Sequence, residues 1–268
     1  MTLDAARGLL TCPHCRQALE LDRRVARCPD GHSFDVARQG YLNLLAGPEP
    51  ANADTSDMVA ARVRVQASGV FDALARALAS ATRGRRRVLE AGAGPATYLR
   101  ACLGDDPGRV GIAVDVSRAA ARVAARADAR IASLVADVWR GLPVRDGCFD
   151  AVMSVFAPRN GAEFARALTP GGLLVVAVPS PAHLAATRAR FGLLDIPGDK
   201  PELLRAGLPA VFEQVDSTRV TEPFTADPEL VADLVSMGPN AFHTRVTPTR
   251  PLTDRVDVTV ISLVRSRD

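Results

Sequence analysis

The sequence predicts an α/β chain built on an open, Rossmann-like sheet, with a small metal-bound module ahead of it. One observation is the stretch Val88-Leu89-Glu90-Ala91-Gly92-Ala93-Gly94-Pro95, in which short apolar residues lead into an acid and two alternating glycines. Another is the set of apolar runs that follows, each with an aspartate at or near one end. The third is Cys12-x2-Cys15-x12-Cys28-x3-His32. Ligands of open α/β sheets lie beyond the carboxyl ends of the strands, so acids placed there suit a nucleoside. The cysteine and histidine spacing is that of a tetrahedral zinc site made from two knuckles.

In chain order, residues 1–37 read as the zinc module. Cys12, Cys15, Cys28 and His32 fill four positions and leave none open, so the zinc is expected to be structural, holding together a segment too short to fold around a core of its own. His14 competes for the fourth place, but it lies inside the tight first knuckle and is expected to point elsewhere. Disulfides do not suit a cytosolic chain. Cys102 and Cys148 read as small core residues. Arg23, Arg24, Arg27 and Arg38 are candidate phosphate contacts, although nearby acids nearly balance them and a solvated face fits equally well.

Residues 38–87 read as a linker followed by helices that cover the entry to the sheet. Phe34 to Leu45 alternates weakly, and Ala46 to Ala53, rich in proline, glycine and alanine, reads as a linker or mobile loop. Thr55 can cap a helix from about 58 to 67, and a second helix spans about 70 to 81.

The sheet domain is expected over 88–268. Gly92 and Gly94 can take backbone angles barred to other residues and let the main chain approach a ligand. Pro95 fits the first turn of the next helix. A second strand, Val110 to Val114, ends in Asp115, where a carboxylate can accept hydrogen bonds from both hydroxyls of a ribose. A third, Ile131 to Ala136, leads to Asp137, and a fourth, Phe149 to Val155, has Asp150 near its start. Leu168-Thr-Pro170-Gly171-Gly172 reads as a turn before a fifth strand, Leu173 to Val178. A helix follows over about 181–190, whereas 193–208 is poorly patterned. Phe212 to Val220 and Val256 to Val264 alternate as an antiparallel pair should, with a helix over about 228–237 between them.

Composition sets bounds. The 268 residues suffice for one large domain with an accessory module, and 47% hydrophobic with 24% charged residues is ordinary for a globular chain. No apolar run reaches the roughly 18 to 20 residues that span a bilayer, and the first residues lack a signal-peptide core, so the expectation is a cytoplasmic protein with no membrane partner. A net charge of +3 tolerates an RNA partner without requiring one. Lys200 is the single lysine, so the abundant arginine reflects codon usage more than a binding surface.

A dehydrogenase would show a fuller glycine triplet and no Pro-Gly-Gly turn. The set instead resembles the class I S-adenosylmethionine-dependent methyltransferases, which implies a seven-stranded sheet. Further runs narrow this: Gly31-His-Ser-Phe-Asp35, Arg38-Gln-Gly-Tyr41-Leu-Asn-Leu44, Asp54-Thr-Ser-Asp-Met-Val-Ala-Ala-Arg62, Ala136-Asp137-Val-Trp139, Val155-Phe-Ala-Pro158-Arg-Asn160, His183-Leu184 and Met237-Gly-Pro-Asn-Ala-Phe242-His. With the zinc pattern they resemble the 23S ribosomal RNA (guanine-N1)-methyltransferases, a family that includes the macrolide-resistance enzymes of tylosin and mycinamicin producers. The resemblance implies S-adenosyl-L-methionine as methyl donor, a Cys/Cys/Cys/His zinc domain that helps to recognise RNA, and methylation at N1 of a guanine in a hairpin loop of domain II of 23S ribosomal RNA.

It also implies a cofactor set of Phe71, Glu90, Gly92, Gly94, Tyr98, Leu99, Asp115, Asp137 and His183. Each has an alternative role: a strand-end Asp137 can cap a helix, Phe71 and Leu99 fit a core by pattern alone, and His183 can be a surface or capping residue. Trp139 could stack on a flipped base or anchor packing. No general base stands out. Asp150 is a candidate, with capping a turn the competing role, and Ala157 and Pro158 match a region where related enzymes contact the target base through main-chain groups. Two rival functions stay open, a small-molecule methyltransferase acting on a natural product or quinone, and an RNA-binding methyltransferase fold without activity. A homodimer is also left open.

Overall fold

The computed structural model describes residues 2–22, 24–157, 159–198, 204–244 and 246–267. Arg23 and Pro158, both named above, lie outside the described residues. Near the N-terminus β1 (Glu20–Asp22), β2 (Val25–Arg27) and β3 (Ser33–Asp35) form a three-stranded antiparallel sheet. Strands of this length bury little apolar surface by themselves. Ala26 of β2, with Leu19 ahead of β1 and the cysteines Cys12 and Cys28, joins the core of the larger sheet behind them.

That sheet contains β4 (Leu42–Asn43), β5 (Arg87–Ala91), β6 (Val110–Asp115), β7 (Ile131–Val135), β8 (Phe149–Val155), β9 (Leu168–Pro179), β10 (Phe212–Ala226) and β11 (Leu252–Arg265), in the order β10-β11-β9-β8-β5-β6-β7-β4. Strands β5 to β9 run parallel to one another, and β11 pairs antiparallel with both β9 and β10. The expected seven strands are all present, and β4 adds an eighth by pairing in parallel with β7, Leu42 against Leu134 and Asn43 against Val135. Two residues are too few to show an alternation, which is why the sequence does not announce this strand.

Other boundaries differ for local reasons. β9 begins at Leu168, so Pro170-Gly171-Gly172 lies inside the strand, where Gly171 at φ +75° and a slip of register between Phe149 and Ala151 absorb the irregularity. The first helix after the glycine turn starts at Thr97, with Ala96 at φ +60° as its N-cap, so Pro95 precedes the helix and does not open it. β10 and β11 pair as far as Ala226 with Leu252, beyond the predicted ends, and most of β10 is exposed on both faces, which removes the alternation that sequence reading needs.

The helices whose bounds are described are α1 (Ser56–Ala67), α2 (Asp72–Ala81), α3 (Thr97–Leu103), α4 (Arg118–Ala124), α5 (Gly161–Ala167), α6 (Ala185–Phe191) and α7 (Pro228–Ser236). Thr55 caps α1, its Oγ1 accepting from Met58 N at 3.3 Å. One face of the sheet, carrying Val88, Ala113, Met153 and Val175, packs against Val65 of α1, Leu74 and Leu78 of α2, Leu99, Cys102 and Leu103 of α3, and Val231 and Leu234 of α7. The opposite face, carrying Leu89, Ile112, Leu134 and Val152, packs against Phe164 and Ala167 of α5 and against the N-terminal segment, through Leu3, Ala6, Leu9, Leu10 and Cys12.

The second arrangement has a topological cause. The crossover from β7 to β8 contains a single 3-10 turn, Val138–Arg140, and no α-helix. The surface of β6 and β7 that a crossover helix would cover is taken instead by the 3-10 turn Thr2–Ala6. Main-chain bonds weld this segment to the crossover: Thr11 N donates to Pro143 O at 3.0 Å and Arg145 N to Leu9 O at 2.9 Å. Arg16 Nη1 adds a bond to Leu142 O at 3.2 Å. No helix among the described residues is long and apolar enough to cross a membrane.

Candidate functional site

The four residues of the zinc pattern come together. Sγ of Cys12, Cys15 and Cys28 and a ring nitrogen of His32 all lie within 4.8 Å of one another. Cys15 and Cys28 are 3.6 Å apart at sulfur, and His32 Nδ1 is 3.4 Å from Cys28 Sγ. A zinc tetrahedron with bonds of about 2.3 Å to sulfur has edges of about 3.8 Å, so the donor set fits the ion in geometry as well as in chemistry. No disulfide competes, since all five cysteines are free. The knuckles are closed by main-chain bonds, Arg16 N to Cys12 O at 2.9 Å and Gly31 N to Cys28 O at 3.0 Å. His14 is exposed and is not one of the four converging donors; its ring lies 5.0 Å from that of His32 and stacks on Phe34, 5.9 Å between centroids and 14° between planes.

At the carboxyl edge of the main sheet, Gly92 and Gly94 hold φ of +71° and +53°. A side chain at either position would be strained. Asp115, at the end of β6, grips the turn: its Oδ2 accepts from Gly94 N and its Oδ1 from Ser117 N, each at 2.8 Å. Both oxygens keep lone pairs for ribose hydroxyls. Burial pushes the Asp115 carboxyl up, against the lowering effect of these two bonds. Glu90 is more enclosed. It is 1% exposed, its Oε2 accepts from Leu99 N at 3.1 Å, and burial with the nearby Asp115 charge pushes it up to about 8. It thereby serves as the cap that α3 otherwise lacks. Leu99 is buried, its side chain so close to Gly111 that a Cβ there would lie 3.0 Å from Leu99 Cδ2. Tyr98 is also buried, which raises its phenol.

Beyond β8 an aromatic group faces the same edge. Phe156 follows the strand directly, takes φ +55° and is 43% exposed. Its ring stacks on His183, 5.5 Å between centroids and 25° between planes, and Phe71 meets it edge-on at 6.2 Å and His183 at 6.0 Å. Asp257 N donates to His183 Nδ1 at 3.2 Å, which places the ring proton of a neutral imidazole on Nε2. Phe71 and His183, separated by more than a hundred positions, are thus brought together, and Phe156 is the residue that sequence reading passed over. Its signal was present in the run Val155-Phe-Ala-Pro158, but exposure and a strained φ become visible only in the fold.

Other candidates stand elsewhere. Asp137 caps the 3-10 turn, its Oδ1 accepting from Trp139 N at 2.9 Å, and lies 3.6 Å from Arg140 Nε. Trp139 is 64% exposed and is no packing anchor. Asn160 Nδ2 fastens its base by donating to Val138 O at 3.0 Å. Asp150 sits at the start of β8, where its Oδ2 accepts from Arg86 N and Arg87 N at 3.0 and 2.9 Å. In a parallel sheet this is the amino edge, a strand length from the glycine turn, and the structure does not bring it to the site. Ala157 is half-buried and its carbonyl accepts from Ser154 Oγ at 3.3 Å. An open concavity of about 460 Å³ between segment 49–56 and α4 is lined by Glu49, Asp54, Arg118 and Arg122, and by none of the glycine-turn residues.

A parallel sheet closed by an antiparallel pair, a glycine turn after β5 and an acid after β6 define a class I methyltransferase that uses S-adenosylmethionine and carries a zinc ribbon. Comparisons agree: the model "RlmA, N-terminal", a zinc ribbon, matches residues 10–52, and "Methyltransferase domain" matches 89–176. The 23S rRNA (guanine(748)-N(1))-methyltransferase of Streptomyces fradiae is 41% identical over 240 residues, covering 87% of this chain and 86% of that one. A Micromonospora griseorubida relative, whose name proposes the same reaction type, is 41% identical over 96% of this chain and 95% of its own. The chain belongs to the 23S ribosomal RNA (guanine-N1)-methyltransferase family. Among solved structures, a chain from the complex between the Haloferax volcanii Trm112 methyltransferase activator and a methyltransferase shares the fold, with TM-score 0.53 and 19% identity over 80% of this chain and 99% of that one.

Proposed function

We propose that this protein methylates N1 of a guanine in a hairpin loop of domain II of 23S ribosomal RNA, and that Cys12, Cys15, Cys28 and His32 hold a structural zinc in a ribbon that helps to select the RNA. The observation that carries this reading is the placing of exposed Phe156 and its stacked partner His183 at the carboxyl edge that also holds the glycine turn and Asp115. RNA loops are read through splayed bases stacked on aromatic side chains, and Trp139, in the 3-10 turn after β7, offers a second such surface. When bound, S-adenosylmethionine supplies a methyl group already activated on sulfur. The chain's part is therefore to position and to exclude water. Gly92 and Gly94 let the main chain lie against the donor, Asp115 receives the ribose hydroxyls, and Phe156 presents its outer face to the guanine. With Asp150 at the opposite edge, the proton leaving N1 passes to solvent.

The same reading places the enzyme with the ribosomes of the cytoplasm. The relatives' sources make protection against a macrolide the role to test first. The experiment is primer extension on ribosomal RNA from cells with and without the gene, since a methyl at N1 blocks base pairing and stops reverse transcriptase. A gene-dependent stop at a guanine of the hairpin is expected. Transfer of labelled methyl to a natural product or quinone but to no RNA would replace this reading, and failure to bind S-adenosylmethionine would favour an inert RNA-binding fold.

A further inference from the structure

We infer that Arg62 binds the carboxylate at the amino-acid end of the methyl donor, with Asp54 holding its guanidinium in place over the glycine turn. This rests on the reading of the β5–β6 edge as the donor site. Helix α1 presents Arg62 and Gln66 on one face, a turn apart. Gln66 Oε1 accepts from Thr97 Oγ1 at 2.7 Å, which seats α1 on the start of α3. One turn earlier, Arg62 Nη1 lies 3.1 Å from where a Cβ on Gly94 would be. The guanidinium is ion-paired with Asp54 and donates through Nη2 to Met237 O at 2.6 Å. Asp54 is itself moored to the other side of the turn, its main-chain oxygen accepting from Ser117 Oγ at 2.6 Å.

The donor's charges then sort themselves. Its ribose is expected at Asp115, which is bonded to Gly94 N, so the amino-acid end runs back along the turn under Arg62. The carboxylates beside that path, Asp54 and Asp115, suit the ammonium group, while Arg62 supplies a cation for the carboxylate. A guanidinium has five N–H donors in a rigid fork that matches a carboxylate in two-point fashion. Two of the five are engaged among the described residues. The pair with Asp54 keeps the arginine's charge compensated while the donor is away, and its partly buried position, 24% exposed at the side chain, strengthens a charge-assisted bond beyond what bulk water allows. If Arg62 were merely a tie between the 46–55 segment and the end of α7, losing it would disturb every ligand of the turn alike.

The test is calorimetry on the full-length, zinc-loaded protein with two ligands, S-adenosylmethionine and its decarboxylated analogue, which differ in that one group. Wild type is expected to bind the analogue about tenfold or more weakly, as the loss of a charge-assisted pair requires. Arg62→Met should weaken S-adenosylmethionine by a similar factor while leaving the analogue within about twofold, given that the analogue never used the fork. Arg62→Lys, which keeps the charge and loses the fork, should fall between and serves if the methionine variant loses its zinc or melts early. Equal weakening of both ligands in the variants, or a wild type that does not distinguish them, would overturn the assignment. A wild type that binds neither ligand would instead remove the donor site itself.

Discussion

The two faces of the central sheet are closed by different means. Under Val88, Met153 and Val175 the cover is α-helices, α1 and α2 ahead of the first strand of that face and α3 and α7 after strands of the sheet, with Leu74, Leu78, Leu99 and Leu103 fully buried. Under Leu89, Ile112 and Leu134 part of the cover comes from Leu3, Ala6, Leu9 and Leu10, residues whose position depends on a ribbon of three-residue strands. That ribbon has almost no core apart from the sheet and a metal cluster. The difference teaches that the zinc ligands and the donor site, though far apart in sequence, share the central sheet: Cys12 and Cys28 pack into the core of Leu89, Ala91, Ile112 and Val114, on the strands whose tips carry Gly92 and Asp115, so a metal with no role in the chemistry still supports the enzyme.

The largest effect that can break this comparison is loss of the metal. The protein should contain about one zinc per chain by metal analysis, and Cys12→Ser with Cys28→Ser should abolish it. Structural zinc carries an apparent free energy of about 10–16 kcal/mol in isolated fingers, as large as a whole domain's stability, so the thermal transition of the sheet domain should fall with it. An unchanged transition after complete chelation would show that the second face is closed without the ribbon. For the same reason, deleting residues 1–37 should strip a core face as well as the proposed RNA contact.

Next in size are matched core deletions. Leu10→Ala and Leu78→Ala, both at fully buried positions, should each cost about 2–5 kcal/mol in denaturant unfolding. By linkage only Leu10→Ala should also weaken zinc retention in a chelator titration. Equal zinc retention in both variants would separate ribbon from sheet.

At the donor site, Gly94→Val imposes a branched side chain at φ +53° beside Arg62, a strain of about 1–3 kcal/mol. It should eliminate S-adenosylmethionine binding in calorimetry and leave the zinc content at one. Unchanged affinity would place the donor elsewhere.

Glu90 gives a smaller and pH-dependent effect. Its carboxyl is raised to about 8 by burial, so from about pH 4.5 to 8 the folded chain keeps a proton that the unfolded chain has lost. Stability of the ligand-free protein should therefore fall as pH rises across that window, by at most about 1.4 kcal/mol per pH unit. Glu90→Gln should flatten the curve in urea titrations, and an unaltered slope would remove Glu90 as its source. Smallest in stability is Trp139→Ala: at 64% exposure it should change unfolding by less than about 0.5 kcal/mol yet reduce methylation of ribosomal RNA. Full RNA activity in that variant would show that the exposed indole is not an RNA surface.

Much of this architecture is written in short stretches. Val88 to Leu99 announces a buried strand and a glycine turn because those residue types tolerate few other local conformations. Asp115 is legible because an acid ending an apolar run must sit at a strand tip. The zinc cluster is legible because two cysteines separated by two residues already form a knuckle. Local chemistry also identified Thr55 as a cap.

Tertiary structure decided the rest, and the reason is range. Nothing near Leu3 or Leu10 signals that they replace a crossover helix, because that need arises from the helix-free connection between β7 and β8, well over a hundred residues away. β4 is a strand only because Leu134 and Val135 offer it an edge. Asp150 stood as a candidate base beside a turn-capping role until the parallel register set it at the amino edge, holding Arg86 N and Arg87 N. Phe71, Phe156 and His183 meet, and Arg62 reaches Gly94, through packing of elements distant in sequence, which no local pattern encodes.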